Sequence, residues 1–253
     1  MGKPAVRFLF TALLATLAIA WSTGHGVAAV APDPPSGVPS VAQITPSDGR
    51  VVGIAAPISV HFAAPVTDRA AAERSLTISA SREVPRGEFS WTGDQDMVWQ
   101  PTGYWPAHTS VTVLAADRIA RFEIGNATVS VGNTSTYVFT VSVNGEVVKE
   151  WPASFGKPGH ETPWGQFSVL EKYPTIVMDS STYGVPIDSP EGYKLDVEFA
   201  TRIVGGIFVH AAPWSIQQQG FQNVSHGCIN LTTDRAEWFM NNANYGDPVI
   251  ITG

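Results

Sequence analysis

An Asn144-Gly145 pair between two strand-like segments is the feature of this sequence that most restricts its fold. Residues 137–143 and 146–151 flank the pair, and both segments are rich in valine and aromatic residues. A two-residue type I′ turn needs positive φ at both positions, so Asn-Gly is the strongest short signal for a β-hairpin. The pair therefore predicts two antiparallel strands in a fixed register.

Short segments of alternating apolar and polar residues fill the first half of the chain. They lie at 58–62, 76–78 and 110–114, and turn sequences rich in Gly, Pro and Asp separate them. Residues 67–75 have the composition of a short helix. We predict an immunoglobulin-like β-sandwich over residues 42–122, with four aromatic side chains available to its core: Phe89, Trp91, Trp99 and Trp105.

Residues 123–253 predict a second domain that is also mostly β. Further strands are indicated at 165–171, 175–178, 205–210 and 248–252, and one helix begins near Thr232 and ends before Gly246. Residues 179–193 are polar and show no periodicity. Loops of this length are usually functional in compact domains, so we predict that they form a lid over a site.

The first 41 residues read as a targeting segment and a spacer. Lys3 and Arg7 precede an apolar stretch at 8–21, and small residues at 27–29 suit signal-peptidase cleavage after Ala29. We predict a signal peptide at 1–29 and a Pro-rich linker at 30–41, with a retained membrane anchor as the alternative. Both readings place the folded part in the periplasm or cell wall.

Charge excludes one class of partner. The formal net charge is −7, and no basic run follows the first seven residues. Nucleic-acid binding requires clustered Lys and Arg to displace counterions from phosphates, so we expect no such partner. Nothing in the sequence indicates an oligomeric state.

Cys228 is the only cysteine in the chain, which is unexpected for an exported protein. It lies beside His226, Gly227 and Asn230, and His210 ends an apolar run upstream. A thiol needs a base or a positive environment to act as a nucleophile. Either histidine, or the amino-terminal end of the helix that follows, is a candidate for that role.

These residues leave several interpretations open. Cys228 could be an inert buried side chain, or it could join His210 and His226 in a zinc site. A papain-like protease is excluded, because its cysteine lies near the mature amino terminus and its histidine downstream. A Cys–His acyltransferase or amidase of another type fits the order found here.

The segments 210–214 (HAAPW) and 225–230 (SHGCIN) resemble the signature of the L,D-transpeptidase (YkuD-type) catalytic domain. The chain is similar over residues 40–253 to short mycobacterial L,D-transpeptidases, which carry one immunoglobulin-like domain. The resemblance implies an enzyme without a cofactor that forms 3→3 cross-links between meso-diaminopimelate residues of peptidoglycan tetrapeptide stems. It also implies release of D-alanine, covalent inhibition by carbapenems, and two alternatives: an L,D-carboxypeptidase or a non-catalytic wall-binding protein.

The resemblance also implies roles for individual residues. Cys228 would be the nucleophile and His210 its general base, with His226 shaping the loop and the substrate contacts. The oxyanion would be bound by the N–H groups of Gly227 and Cys228 and by the Tyr193 hydroxyl. The substrate-binding positions would be Met178, Tyr183, Tyr193, Trp214 and Asn230, and no metal is expected.

One position departs from the family pattern. Relatives commonly have serine where this chain has Ala211. In those relatives the backbone carbonyl is thought to orient the imidazole. Alanine keeps that carbonyl, so we expect activity to survive.

Overall fold

The computed structural model describes residues 37–253, apart from the side chain of Tyr183. The predicted signal peptide, and the predicted linker as far as residue 36, lie outside the described residues. No helix in the described part is long and apolar enough to cross a membrane.

Eight strands and one short helix form the first domain. They are β1 (Val41–Thr45), β2 (Val51–Val52), β3 (Ile58–Phe62), α1 (Arg69–Arg74), β4 (Leu76–Ala80), β5 (Gly87–Thr92), β6 (Asp96–Pro101), β7 (Thr109–Ala115) and β8 (Arg118–Ile124). They pair as two four-stranded sheets in the orders β1-β3-β6-β5 and β2-β8-β7-β4. The two sheets share one apolar core, so this domain is the predicted sandwich.

The core of the sandwich begins earlier in the chain than predicted. Val38 and Val41, which fall in the predicted linker, are buried in it, and β8 runs to Ile124, past the predicted boundary at 122. The prediction of a core role for Phe89 is wrong. Its side chain is 38% exposed because β5 is an edge strand, whereas Trp105 is only 2% exposed.

The second domain contains two sheets and the main helix. Its elements are β9 (Thr128–Asn133), β10 (Val138–Val143), β11 (Glu146–Pro152), β12 (Gly165–Ser168), β13 (Glu171–Asp179), β14 (Lys194–Val204), β15 (Ile207–Ala211), β16 (Ile229–Leu231), α2 (Thr233–Asn242) and β17 (Pro248–Thr252). The sheet orders are β11-β10-β9-β17-β12 and β13-β14-β15-β16. The fold class predicted from the sequence, a β-sandwich followed by a β-rich domain with one main helix, is confirmed.

The Asn-Gly hairpin is present as predicted. Asn144 and Gly145 have φ values of 52° and 89°, and Val143 pairs with Glu146 across the turn. β10 lies between β11 and β9 in its sheet and carries Phe139, whose buried ring meets that of Phe239 on α2 edge to face at 5.3 Å. The hairpin thus fixes the strand against which the helix packs.

The two domains meet through backbone hydrogen bonds close to the carboxy terminus. Gly53 N–H donates to the Tyr245 carbonyl at 2.7 Å, and Ala55 N–H donates to the Gly246 carbonyl at 2.9 Å. Gly246 has a φ of 83°, and an added Cβ would lie 2.4 Å from the Ala56 Cα. Because α2 already ends at Asn242, Gly246 does not end the helix. Its lack of a side chain instead permits the close contact between the two domains.

Candidate active site

The parallel pairing of β15 and β16 brings the sequence motifs together. His210 lies opposite Asn230, and Val209 lies opposite Ile229. Alternate residues of a strand share one face, so His210 and Asn230 share a face with Cys228, which immediately precedes β16. Cys228 and His210, which are 18 residues apart in sequence, therefore lie diagonally opposite each other on one surface of the sheet.

That surface forms the floor of a pocket of about 190 Å³. Seven of the predicted site residues line it. The lining comprises Met178, Tyr193, Leu195, Val197, His210, Trp214, Val224, Ser225, His226, Cys228 and Asn230. The structure therefore gathers residues from β13, β14, β15 and the loop at 224–228, which we call the cysteine loop.

His210 is buried and held in one orientation. Its Nδ1 lies 2.8 Å from the carbonyl oxygen of Ala211. A carbonyl only accepts, so Nδ1 carries the proton and Nε2 is left as the basic nitrogen. Burial lowers the pKa of His210 to about 4, so the imidazole is neutral at neutral pH. The predicted contact to the Ala211 carbonyl is thus present.

Cys228 lies against an apolar wall. It packs against a buried cluster of Val197, Ala200 and Phe208, and its Sγ is 3.7 Å from the Gly206 carbonyl oxygen. Although the residue keeps some exposure to the pocket, desolvation of the sulfur raises the pKa of the Cys228 thiol to about 11. The suggestion that the following helix could activate the thiol is not supported, because β16 separates Cys228 from α2 and burial dominates.

These values make the resting pair a neutral thiol beside a neutral imidazole. We predict that alkylation of Cys228 by iodoacetamide accelerates about tenfold per pH unit from pH 7 to pH 10, since the thiolate is the reactive form. The unfolded chain is the control, and its rate should level off above about pH 8.5. The chain has one cysteine, so loss of free thiol reports this site alone. A plateau below pH 8 in the folded protein would contradict the raised pKa.

Hydrogen bonds within the protein shape the cysteine loop. Ser225 Oγ accepts from the Gly227 N–H at 3.0 Å and donates to the Cys228 carbonyl at 2.6 Å. Thr162 Oγ1 donates to the Gly227 carbonyl at 2.8 Å. Gly227 has a φ of 117°, and an added Cβ would lie 2.7 Å from Ile207 Cδ1, so only glycine fits.

This arrangement argues against one predicted oxyanion donor. The N–H of Gly227 is already committed to Ser225 Oγ, because the tight turn before the cysteine directs it there. The other two predicted oxyanion donors, the N–H of Cys228 and the hydroxyl of Tyr193, take no part in the hydrogen bond between Gly227 and Ser225.

Two other predicted substrate residues have clear structural partners. Asn230 is buried and donates through Nδ2 to Ser215 Oγ at 3.0 Å, so it braces the pocket floor. Trp214 is 52% exposed, and its ring lies 6.0 Å from that of His210, measured between centroids. Trp214 thus covers the imidazole while presenting an aromatic face to solvent.

The predicted lid, residues 179–193, connects β13 to β14. It begins with a 3-10 helix at Ser180–Tyr183, and hydrogen bonds of Ser180 join the two ends of the segment. The N–H of Ser180 donates to the Tyr193 carbonyl, and the N–H of Tyr193 donates to Ser180 Oγ, each at 2.9 Å. The Tyr193 ring lies 5.1 Å from that of His226. The predicted role of the Tyr183 side chain lies outside the described structure.

His226 faces the lid as well as the pocket. Its Nε2 lies 2.8 Å from Glu191 Oε2, and the same oxygen forms an ion pair with Lys157 Nζ. Hydrogen bonds from Lys157, which contributes more, and from His226 lower the pKa of Glu191 to about 2. Sequence reasoning missed Glu191, Lys157 and their neighbour His160, because nothing in the sequence links the lid to the loop after β11.

The zinc set left open by the sequence does not form a cluster in the described residues. The group of three potential ligands that the described structure does bring together is His160, Glu191 and His226. His210 and Cys228 line the same pocket but are not members of this group.

A partly buried thiol in one pocket with an oriented, neutral imidazole, under a lid, defines the class of cysteine-dependent acyl-transfer enzymes. Residues 127–251 match the YkuD family, described as the L,D-transpeptidase catalytic domain, and residues 35–117 match the bacterial Ig domain family.

Whole-chain relatives agree with these matches. The chain is 44% identical to L,D-transpeptidase 1 of Mycobacterium tuberculosis, across 99% of this chain and 100% of that protein. Among solved structures, LdtMt1 in complex with imipenem is 45% identical, covers 85% of this chain and 100% of its own, and has a TM-score of 0.80. L,D-transpeptidase 3 of M. tuberculosis with a faropenem-derived adduct is 39% identical, covers 85% and 98%, and has a TM-score of 0.77.

The chain therefore belongs to the L,D-transpeptidase family. The predicted family and the predicted enzyme class, a cysteine-dependent transpeptidase, are confirmed.

Proposed function

We propose that this protein cross-links peptidoglycan by joining two tetrapeptide stems through their meso-diaminopimelate residues, a 3→3 linkage, with release of D-alanine. The observation that carries the proposal is the placement of Cys228 and His210 on one sheet face, with Nδ1 of His210 held by the Ala211 carbonyl. That contact leaves Nε2 as the proton acceptor for the thiol.

In the first step Cys228 Sγ attacks the carbonyl carbon of the amide between diaminopimelate and the terminal D-alanine. His210 Nε2 takes the thiol proton as the bond forms, because neither group is charged at rest. The C–N bond then breaks, His210 returns the proton to the leaving amine, and D-alanine departs. The product is a thioester on Cys228.

In the second step the side-chain amine of diaminopimelate on another stem attacks the thioester. His210 accepts the amine proton and returns it to the sulfur as the C–S bond breaks. The Cys228 N–H and the Tyr193 hydroxyl are the proposed oxyanion donors in both steps. Met178 and Trp214, which both line the pocket, are proposed to contact the donor stem.

Carbapenems are proposed to acylate Cys228 by the same attack. Two related structures contain imipenem in one case and a faropenem-derived adduct in the other. A strained β-lactam carbonyl in the donor position would meet the thiol and the same oxyanion donors. No leaving amine departs, so the adduct should persist.

We also propose that the protein is exported. The basic start, the apolar stretch at 8–21 and the small residues before Val30 support a cleaved signal peptide. The amino terminus of the mature protein decides between cleavage and anchoring. A terminus at Val30 supports cleavage, whereas a terminus at Met1 or Gly2 supports a retained anchor.

The cross-linking proposal is tested with a purified disaccharide-tetrapeptide and mass spectrometry of the products. We expect free D-alanine and a cross-linked dimer that has lost one D-alanine. A stem ending at diaminopimelate is the matched control: alone it should not react, and mixed with the tetrapeptide it should appear only as acceptor. Tripeptide monomers without any dimer would show hydrolysis instead of cross-linking and would refute the proposal.

A further inference from the structure

Three potential metal ligands lie together at the edge of the pocket, on three separate segments. His160 belongs to the loop after β11, Glu191 to the lid and His226 to the cysteine loop. Glu191 Oε2 is 2.8 Å from His226 Nε2 and 4.0 Å from His160 Nε2, and the three ligand atoms all lie within 4.8 Å of one another. The two imidazole rings are 4.7 Å apart between centroids.

This ligand set suits a divalent transition metal. Two histidines and one glutamate form a known zinc site, with metal–ligand distances of about 2.0–2.2 Å. Ligand atoms around a tetrahedral ion are then roughly 3.4 Å apart. The two distances from Glu191, 2.8 and 4.0 Å, bracket this value, and the two histidine nitrogens lie within 4.8 Å of each other. Side-chain rotation would therefore have to draw the two imidazoles together around the ion. All three side chains are partly exposed, at 24–49%, which leaves room for a water molecule as the fourth ligand.

We propose that His160, Glu191 and His226 bind a divalent transition metal ion of the zinc type, and that the bound ion fastens the lid to the cysteine loop. The loop after β11 is already hydrogen-bonded to the cysteine loop, for example from the Lys157 N–H to the Ser225 carbonyl. The lid meets the cysteine loop here through the Glu191 carboxylate and the contact between the Tyr193 and His226 rings, so the ion would add a coordinated link to these contacts. Because His226 is two residues from Cys228, the ion would fix the wall of the pocket next to the thiol. Metal binding itself does not depend on the proposed transpeptidase reaction.

Lys157 is the internal competitor for this site. Its ammonium contacts the same Glu191 oxygen that the metal would use. The Lys157 side chain is 28% exposed, so it has a path into solvent when an ion enters. Removing the ammonium should therefore strengthen metal binding, because a charge that repels the ion and occupies its ligand is lost.

The test is calorimetric titration of the full chain with Zn²⁺, together with the visible absorption spectrum after addition of Co²⁺. We expect one ion per chain and a tetrahedral cobalt spectrum without an intense sulfur charge-transfer band. Glu191→Gln and His160→Gln should each weaken zinc binding by more than about 10-fold, because each removes one ligand of three. Lys157→Met should strengthen it several-fold.

Matched controls separate this site from other histidines and from the thiol. His61→Gln removes a His–Asp pair of the first domain, 2.7 Å apart, and should leave the affinity unchanged. Cys228→Ser should also leave it unchanged. Absence of zinc binding, loss of binding in Cys228→Ser, or unchanged binding in Glu191→Gln would each overturn the proposal.

Discussion

Replacement of Cys228 by alanine is expected to reduce D-alanine release from the tetrapeptide stem by more than about 10³-fold, since the covalent route is lost and only substrate binding remains. The reason lies in the pocket: Cys228 is the one thiol of the chain, and it stands on the same sheet face as the oriented imidazole. Release of D-alanine is followed by an enzyme-coupled assay with the disaccharide-tetrapeptide.

A second variant separates chemistry from folding. Cys228→Ser keeps the side-chain volume close to that of cysteine but provides a poorer nucleophile, so its activity should also be largely lost. The unfolding temperature of both variants should stay near that of the native protein. Wild-type release by a correctly folded Cys228→Ala protein would mean that another group carries the reaction.

Replacement of His210 by glutamine is expected to slow acylation by imipenem by about 10²–10⁴-fold, the usual contribution of a general base. Glutamine retains a donor for the Ala211 carbonyl but provides no basic nitrogen. Because the thiol pKa is raised to about 11, the variant has very little thiolate at neutral pH. Acylation is measured in a single turnover by loss of imipenem absorbance.

The pH dependence of that variant provides an independent check. Without the base, only pre-formed thiolate reacts, so the rate should rise about tenfold per pH unit between pH 7 and 9. The native rate should be flat over this range, because His210 is neutral above its pKa of about 4 and Cys228 stays protonated. His226→Gln is the matched control and should retain the flat profile. A flat pH profile in His210→Gln together with a rising profile in His226→Gln would assign the base to His226.

Local signals were enough to predict the fold class. The Asn-Gly turn, the alternating strand at 58–62 and the helix start at Thr232 each depend on neighbours in sequence, and all three are present. The lone thiol with two histidines nearby points to Cys228, and the resemblance to the L,D-transpeptidase signature is what assigns His210 as its base. The parallel pairing of β15, which carries His210, with β16, which begins directly after Cys228, brings the two residues to one face of the sheet.

Features set by distant contacts could not be predicted. Glu191 meets Lys157 and His226 across more than 30 residues, and no periodic pattern encodes that contact. The family resemblance assigns the Gly227 N–H to the oxyanion, and the sequence does not reveal that Ser225 Oγ accepts from this N–H. The raised pKa of the thiol comes from burial against the cluster of Val197, Ala200 and Phe208, which only the folded sheet assembles.

The most direct test of the central claim is the intact mass of the native protein after incubation with imipenem, followed by peptide mapping. The proposed site predicts one imipenem adduct per chain, located on the peptide that contains Cys228, and no adduct in Cys228→Ala. An unmodified native protein, or an adduct on any other residue, would contradict the assignment of Cys228 as the nucleophile.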